Sequence, residues 1–348
     1  GDVKGGDRGR QKILAKGKCY DNRNLHEGPV SGRASIVIDE KHLDSIRLSS
    51  TPIGQRFVAT FVLGPNFHLF QHVDIRFENL ERIPRDETVI FAMNHTDRYN
   101  YWPFQYQLWR LRYPFTTVWA KGKYYRSKVV GKCLDTCNVI PVPSMGYLVE
   151  EYYKQRFGRK IGKEEYRVIK DWIDGKIDEA ASLAKLGDET KTLFQRSFIE
   201  HLKDYHQFLM EKVAELSTRA VREWNLNLII FPEGTRSLRL GVGRPGIAQI
   251  ALYSGKKIVP VGCNNSDRVY TGHSPFARSG TITYRIGEPL SVDGRLKEFR
   301  ISEPFKLFSR ESQQQYKARF EGVTKVVMDS INELLDERHR RPEEGPAL

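Results

Sequence analysis

The sequence predicts an α/β protein: a mostly parallel central sheet flanked by helices, with a helical insertion. Three observations predict it. Short continuous apolar runs recur at Thr88 to Met93, Thr116 to Trp119, Asn138 to Val142, Leu226 to Phe231, Ile258 to Gly262 and Thr281 to Ile286. Runs of this length without polar alternation are those of strands buried on both faces. Helix-length segments separate several of them, as parallel crossovers require. Between Ser144 and Trp224 the pattern changes to helical spacing, with Tyr166, Ile169, Ile173 and Ile177 on one stripe and Phe198, Leu202, Tyr205, Leu209, Val213 and Leu216 on another.

Taken in chain order, residues 1–55 are rich in Gly, Arg and Ser and read as a loosely structured lead-in. No initiator Met and no apolar signal core opens the chain, which reads either as processing or as the boundary of a segment cut from a longer chain. The most apolar early run, Phe57 to Phe70, is broken by Gly64-Pro65-Asn66 and contains His68. No stretch reaches the roughly 18 apolar residues that span a bilayer. Residues 56–143 and 225–338 then form the two halves of one sheet domain, and 144–224 is the insertion between them. A last helix is expected from about Gln313 to Arg338, with Tyr316, Phe320, Val323, Val327, Ile331 and Leu334 on its buried stripe. The tail, 339–348, is expected to be disordered.

The 348 residues carry 56 Lys and Arg against 43 Asp and Glu, a net charge of +13, and 39% are hydrophobic. This composition excludes disorder as the dominant state. Four cysteines, Cys19, Cys133, Cys137 and Cys263, are too few for a disulfide framework in a chain this long, and the reading is a reducing compartment. Cys133 and Cys137 have no partners at zinc-ligand spacing, so no metal is expected. The positive charge is unevenly spread. Residues 144–224 hold 15 basic and 15 acidic side chains, whereas 95–143 hold eight basic and two acidic. Such a cluster attracts nucleic acid, an anionic membrane or a phosphorylated ligand. No nucleic-acid-binding module accompanies it, and the aromatics nearby (Tyr99, Tyr101, Trp102, Tyr106) suit an apolar face or acyl channel.

Two loops end predicted strands abruptly in polar residues, and in open α/β sheets ligands bind outside the carboxyl ends of strands. The first is Asn94-His95-Thr96-Asp97-Arg98-Tyr99-Asn100. His95 alone in it has an ordinary pKa near neutrality, which suits a general base, and Asn100 or Asp97 is placed to orient its ring. The second is Phe231-Pro232-Glu233-Gly234-Thr235-Arg236-Ser237. Its Pro and Gly fix a tight turn that a ligand can approach, and Arg236 offers a fork suited to phosphate. Glu233 beside it can accept from Arg236 or from a substrate hydroxyl.

Together the loops resemble the glycerolipid acyltransferases of the lysophosphatidate acyltransferase type. That family carries a His-x4-Asp block after a strand, then Phe-Pro-Glu-Gly-Thr-Arg-Ser, then a Val-Pro-Val strand; here these are His95 to Asn100, Phe231 to Ser237, and Val259-Pro260-Val261. Phe77-Glu78-Asn79-Leu80, Lys121, Gly131 and Ile286-Gly287-Glu288-Pro289 echo it further. The resemblance implies that His95 deprotonates an acceptor hydroxyl, which attacks an acyl thioester with no covalent enzyme intermediate and no cofactor. It implies that Glu233, Gly234, Thr235 and Arg236 bind the acceptor, with Arg236 on its phosphate, and that Pro260 shapes the cleft. The implied partners are acyl-CoA or acyl carrier protein as donor, a lysophospholipid such as 1-acyl-glycerol-3-phosphate as acceptor, and the cytoplasmic face of a membrane, bound peripherally.

The chain departs from the family at two places. Asn100 stands where the family has aspartate, so Asp97 is a second candidate for the charge behind His95. No arginine stands in Cys137 to Pro143, where the family often places one for phosphate, which leaves Lys121, Lys123 and Arg126 as substitutes. Ser266-Asp267-Arg268 is faintly similar to glycerol-3-phosphate acyltransferases, an alternative acceptor class. A relative that binds lipid with weakened catalysis is the other reading.

Overall fold

The structure, a computed structural model, describes residues 37–342. Among them, seven strands form one sheet in the order β1-β7-β6-β2-β5-β3-β4: β1 Val73–Glu78, β2 Ile90–Met93, β3 Thr116–Lys121, β4 Val139–Val142, β5 Asn227–Ile230, β6 Ile258–Asn264 and β7 Gly280–Ile286. All neighbours run parallel except β6 and β7, which are antiparallel. The expected α/β class is therefore the observed one, with β6–β7 as the single antiparallel pairing, so that β7 and β1 run opposite to the other five strands. β1 escapes the search for apolar runs because it alternates, Val73, Ile75 and Phe77 against Asp74, Arg76 and Glu78, as an edge strand half open to solvent does.

Alternation across the pleat divides the core between the sheet's two faces. From one face Phe91, Met93, Ile229, Val259, Val261 and Tyr284 meet Phe104 of the Tyr101–Arg110 helix; from the other Ile90, Ala92, Leu228 and Ile258 meet Ile247 and Ile250 of the Gly246–Ser254 helix and Val327 and Ile331 of the Lys317–Glu333 helix. β2 lies at the centre of this sandwich and is buried along its whole length. Pro141 sits in β4, the other edge strand, where a missing N–H is tolerated.

Between β4 and β5 the chain forms five helices, Met145–Phe157, Lys163–Ile173, Glu179–Lys185, Asp188–Leu193 and Arg196–Arg222. The last, 27 residues, carries the expected Phe198 to Leu216 stripe inward, and Ser217 on it accepts a 2.8 Å hydrogen bond from the Trp119 indole of β3. Two expected boundaries move. The lead-in gives way to core before residue 55: Ile38, Leu43, Ile46 and Leu48 are buried around a short Glu40–Ser45 helix, while residues 1–36 lie outside the described residues. At the other end His339 is fully buried, and the part of the expected tail outside the described residues is 343–348. The Lys317–Glu333 helix is preceded by a separate turn of helix, Arg310–Gln315, since the chain leaves helical geometry at Tyr316.

Gly262 of β6 permits the close approach of the Leu334 backbone, whose carbonyl oxygen would stand 2.6 Å from an added Cβ. Backbone cannot rotate away as a side chain can. Gly262→Ala is expected to lower stability by about 1–3 kcal/mol, read as a lower urea midpoint; an unchanged midpoint would contradict this packing.

Candidate active site

β3, β5, β2 and β6 are consecutive parallel neighbours, so their carboxyl ends deliver four loops to one edge of the sheet. The strand order reverses about β2, which is where such sheets leave a crevice. An open cleft of about 350 Å³ lies there, lined by Lys121 from the end of β3, Thr235 and Arg236 after β5, Thr96, Asp97 and Arg98 after β2, and Asp267, Tyr270 and Gly272 after β6. The two motif loops, whose His95 and Glu233 are 138 residues apart in sequence, thus line one cleft.

Asn94 begins the first loop by extending the ladder with its side chain. Its amide donates to the Cys263 carbonyl at 3.0 Å and accepts from the Cys263 N–H at 2.7 Å, fixing the loop to β6. His95 follows, with its ring stacked on Phe231 at 4.1 Å between centroids. Its Nδ1 lies 3.2 Å from Asn100 Oδ1. Asn100 is fully buried; its amide NH2 donates to the Asn94 carbonyl at 2.8 Å, and its own carbonyl accepts from the Tyr284 hydroxyl at 2.5 Å. Because the Asn94 carbonyl can only accept, the amide is oriented with Oδ1 toward the ring. Nδ1 must then carry the proton, which leaves Nε2 as an unprotonated base. Asn100 therefore orients the ring as a neutral partner.

The hydrogen-bond partner of the ring is thus a neutral amide and not a carboxylate. Burial lowers the His95 pKa to about 4; the Asn100 hydrogen bond opposes this, and Arg236 and Lys121 reinforce it. Asp97, the alternative partner, makes no hydrogen bond to His95. Its oxygens accept from the Tyr99 N–H at 2.8 Å and the Thr96 hydroxyl at 3.0 Å, so it closes its own turn, and burial pushes its pKa up. It lines the cleft but is corrected as a relay residue.

Glu233 is also reassigned. Its carboxylate is buried, with one oxygen accepting from the His95 N–H at 2.9 Å and the other from the Gly241 N–H at 2.8 Å. Both oxygens are engaged by main chain, so it joins the two loops and does not face an acceptor. The Ser237 N–H completes the junction by donating to the His95 carbonyl at 2.9 Å. Gly234 holds φ +66, a left-handed turn that favours glycine. A Cβ there would also meet the Arg244 side chain at 3.1 Å. Thr235 and Arg236 are exposed in the cleft, as their motif position predicts.

The three substitute cations separate. Lys121 lines the cleft, and its pKa is lowered by burial and then by Lys123, Arg236 and Arg244, a set of neighbours of one sign. Arg126 is bound to Glu151 at 2.6 Å and Glu150 at 2.7 Å on the Met145–Phe157 helix, which neutralises it. Lys123 is exposed outside the cleft lining, 5.7 Å from the Tyr124 ring. Pro260 is buried in mid-strand beside Ala92 of β2, and its carbonyl accepts from the Gly287 N–H at 2.8 Å, so it packs the sheet and does not line the cleft. Arg98 and Asp267, which the sequence reading named within longer segments without a role of their own, line the cleft with Tyr270, which it did not name. Among the described residues, no three His, Cys, Asp or Glu side chains group as a metal site.

No family model matches the chain. Over 86 residues, 24% of this chain, the sequence is 37% identical to a 1-acyl-sn-glycerol-3-phosphate acyltransferase of Cocos nucifera, and the match spans 28% of that relative. A solved structure, the 1-acyl-sn-glycerophosphate (LPA) acyltransferase PlsC of Thermotoga maritima, aligns with 78% of this chain and 79% of its own at 14% identity and a TM-score of 0.38. The sequence match agrees with the resemblance to glycerolipid acyltransferases that the motifs carry.

A histidine whose neutral form is held by burial stays unprotonated further into acid. The rate governed by His95 is expected to fall only as pH drops through about 4, the pKa that burial imposes, and not through the ordinary 6.5. Asn100→Asp puts an anion behind the ring, raises that pKa and moves the acid limb upward. An acid limb at 6.5 in the parent chain, or no movement in the variant, would contradict the placement of Asn100.

Proposed function

We propose that the chain is an O-acyltransferase that moves a fatty acyl group from acyl-CoA or acyl carrier protein to the hydroxyl of a phosphate-bearing lysolipid, 1-acyl-glycerol-3-phosphate being the acceptor its cleft suits best. The observation that carries this reading is the unprotonated Nε2 of His95 beside a cleft whose Arg236 and Lys121 have no carboxylate partners among the described residues. Nε2 takes the hydroxyl proton as the oxygen attacks the thioester carbonyl. The tetrahedral intermediate collapses, the C–S bond breaks, and the leaving thiolate takes the proton back from Nε2. No cofactor enters this cycle. Holding hydroxyl and thioester together contributes by orientation, worth several kcal/mol in such reactions.

Neutral His95 becomes cationic in the transition state without a carboxylate to offset it. The lower basicity slows proton transfer, and in a Ser-His-Asp triad the loss of that charge costs about 10⁴ in rate. Asn can still orient a catalytic His, as it does in Cys-His-Asn enzymes. The fully buried, doubly anchored Asn100 supports an active site over a lipid-binding relative that has lost catalysis.

A membrane surface fits the face beside the cleft's supporting helices. Ile53, Phe57 and Phe61 recur every four residues and are 80%, 58% and 67% exposed, with Leu69 and Phe70 beyond them and Val129 on the Lys128–Thr136 helix. The two helices touch where Gly54 meets Thr136, and Arg56, Lys128 and Lys132 are exposed among the apolar side chains. Apolar residues rimmed by cations suit an anionic leaflet, here the cytoplasmic one, bound without crossing it. No helix among the described residues is long and apolar enough to cross.

Purified protein is expected to release thiol from long-chain acyl-CoA only when lysophosphatidate is present, and His95→Ala to reduce the rate at least 10³-fold, on the order of the losses seen when a catalytic base is removed. Equal inactivity of both proteins across donors and acceptors, with vesicle binding intact, would make the chain a lipid-binding relative. The double change Phe57→Asp, Phe61→Asp is expected to lower turnover of vesicle-borne acceptor while sparing a short-chain soluble one; equal effects on both would overturn the membrane placement.

A further inference from the structure

The cleft's charges are unequally engaged. Of its two carboxylates, Asp97 accepts from its own turn, and Asp267 is held by Arg338 at 2.6 Å with His339 Nε2 3.5 Å away. Its cations are Lys121, Arg236 and Arg98. None of the three has a carboxylate within 4.0 Å among the described residues, whereas Arg126, Arg285 and Arg338 do. Arg98 is the most constrained of the three. One terminal nitrogen donates to His273 Nδ1 at 3.0 Å, the guanidinium lies 5.9 Å from the Tyr124 ring, and its Nε is enclosed with no hydrogen-bond partner. Tyr99, the next residue, donates to the His273 carbonyl at 2.9 Å and so steadies the segment that holds it.

A guanidinium kept at a cleft wall by a neutral acceptor, with donors left over and no anion beside it, is prepared for an anion from outside. A phosphate offers the paired oxygens that the fork matches. We propose that Arg98 is a ligand of the acceptor's phosphate group and sets the preference for phosphate-bearing acceptors, filling with Lys121 and Arg236 the place of the arginine missing from Cys137 to Pro143. Arg126, sequestered by two glutamates, and Lys123, outside the lining, leave that place open. The identity of the phosphate rests on the acyltransferase reading; the presence of a phosphate site at Arg98 does not.

Two measurements on the full chain keep these apart. In calorimetry with glycerol 3-phosphate and with inorganic phosphate, Arg98→Gln is expected to weaken binding about tenfold, the loss typical of one charge-assisted hydrogen-bonded contact. Arg98→Lys, which keeps the charge without the fork, should fall between the two and show that the fold is intact. In steady-state kinetics, Arg98→Gln should raise KM for lysophosphatidate about as much, leave KM for acyl-CoA unchanged, and leave turnover of a phosphate-free monoacylglycerol untouched. Phosphate binding unchanged in Arg98→Gln would overturn the proposal. A rise confined to acyl-CoA would overturn it in favour of the donor's phosphates. If the parent chain transfers no acyl group yet loses phosphate binding on Arg98→Gln, the acyltransferase reading fails and the phosphate site stands.

Discussion

The site depends on one buried carboxylate. Glu233 takes the main-chain N–H of His95 on one oxygen and that of Gly241 on the other, so the loops after β2 and β5 cannot separate without stranding a charge or two N–H groups. Burial pushes the Glu233 pKa up, and the two N–H groups and the Arg341 charge oppose that shift only in part. With the junction fixed, the His95 ring rests on Phe231, the last residue before the turn, and the same turn sets Arg236 into the cleft. The His95 ring and the Arg236 side chain are thus positioned by main-chain contacts that neither side chain makes.

Electrostatics around His95 follow from that geometry. A ring buried against Phe231, with Asn100 behind it and Lys121 and Arg236 nearby, is kept neutral by its setting. The cations that attract an anionic acceptor also disfavour the imidazolium. An acceptor carrying its own phosphate would offset them, so occupancy of the phosphate site and basicity of His95 are coupled by charge. A substrate of this class would strengthen the base that acts on it.

Much of this was legible in the sequence. Six of the seven strands announce themselves as apolar runs, with β2, β5 and β6 buried along their whole length and β7 alternating in burial, and the motif loops follow two of them directly. His95, Asn100, Thr235 and Arg236 could therefore be named from their places after β2 and β5 and from the motifs they belong to. What was not legible depends on partners distant in sequence. Glu233 read as a ligand because nothing in Phe-Pro-Glu-Gly shows that its oxygens meet His95 and Gly241. Arg126 read as a free cation because Glu150 and Glu151 lie a strand and a turn away, and Pro260 read as a cleft wall because strand pairing hides it. Arg98 and Asp267 reach the cleft only through the sheet order, which places the ends of β2 and β6 side by side. His339, beyond the last helix, fell within an expected tail, yet its ring bonds the Leu238 carbonyl at 2.8 Å and accepts from the Asn265 N–H at 3.3 Å, tying the second loop to the end of β6.

The central claim is that one cleft presents an unprotonated His95 Nε2 to a hydroxyl while cations hold the same molecule's phosphate. A crystal structure of the chain with lysophosphatidate bound tests it most directly. The free hydroxyl is expected within hydrogen-bond distance of Nε2, and the phosphate among Arg236, Lys121 and Arg98. A phosphate bound outside that cleft, or a hydroxyl directed away from His95, would contradict it.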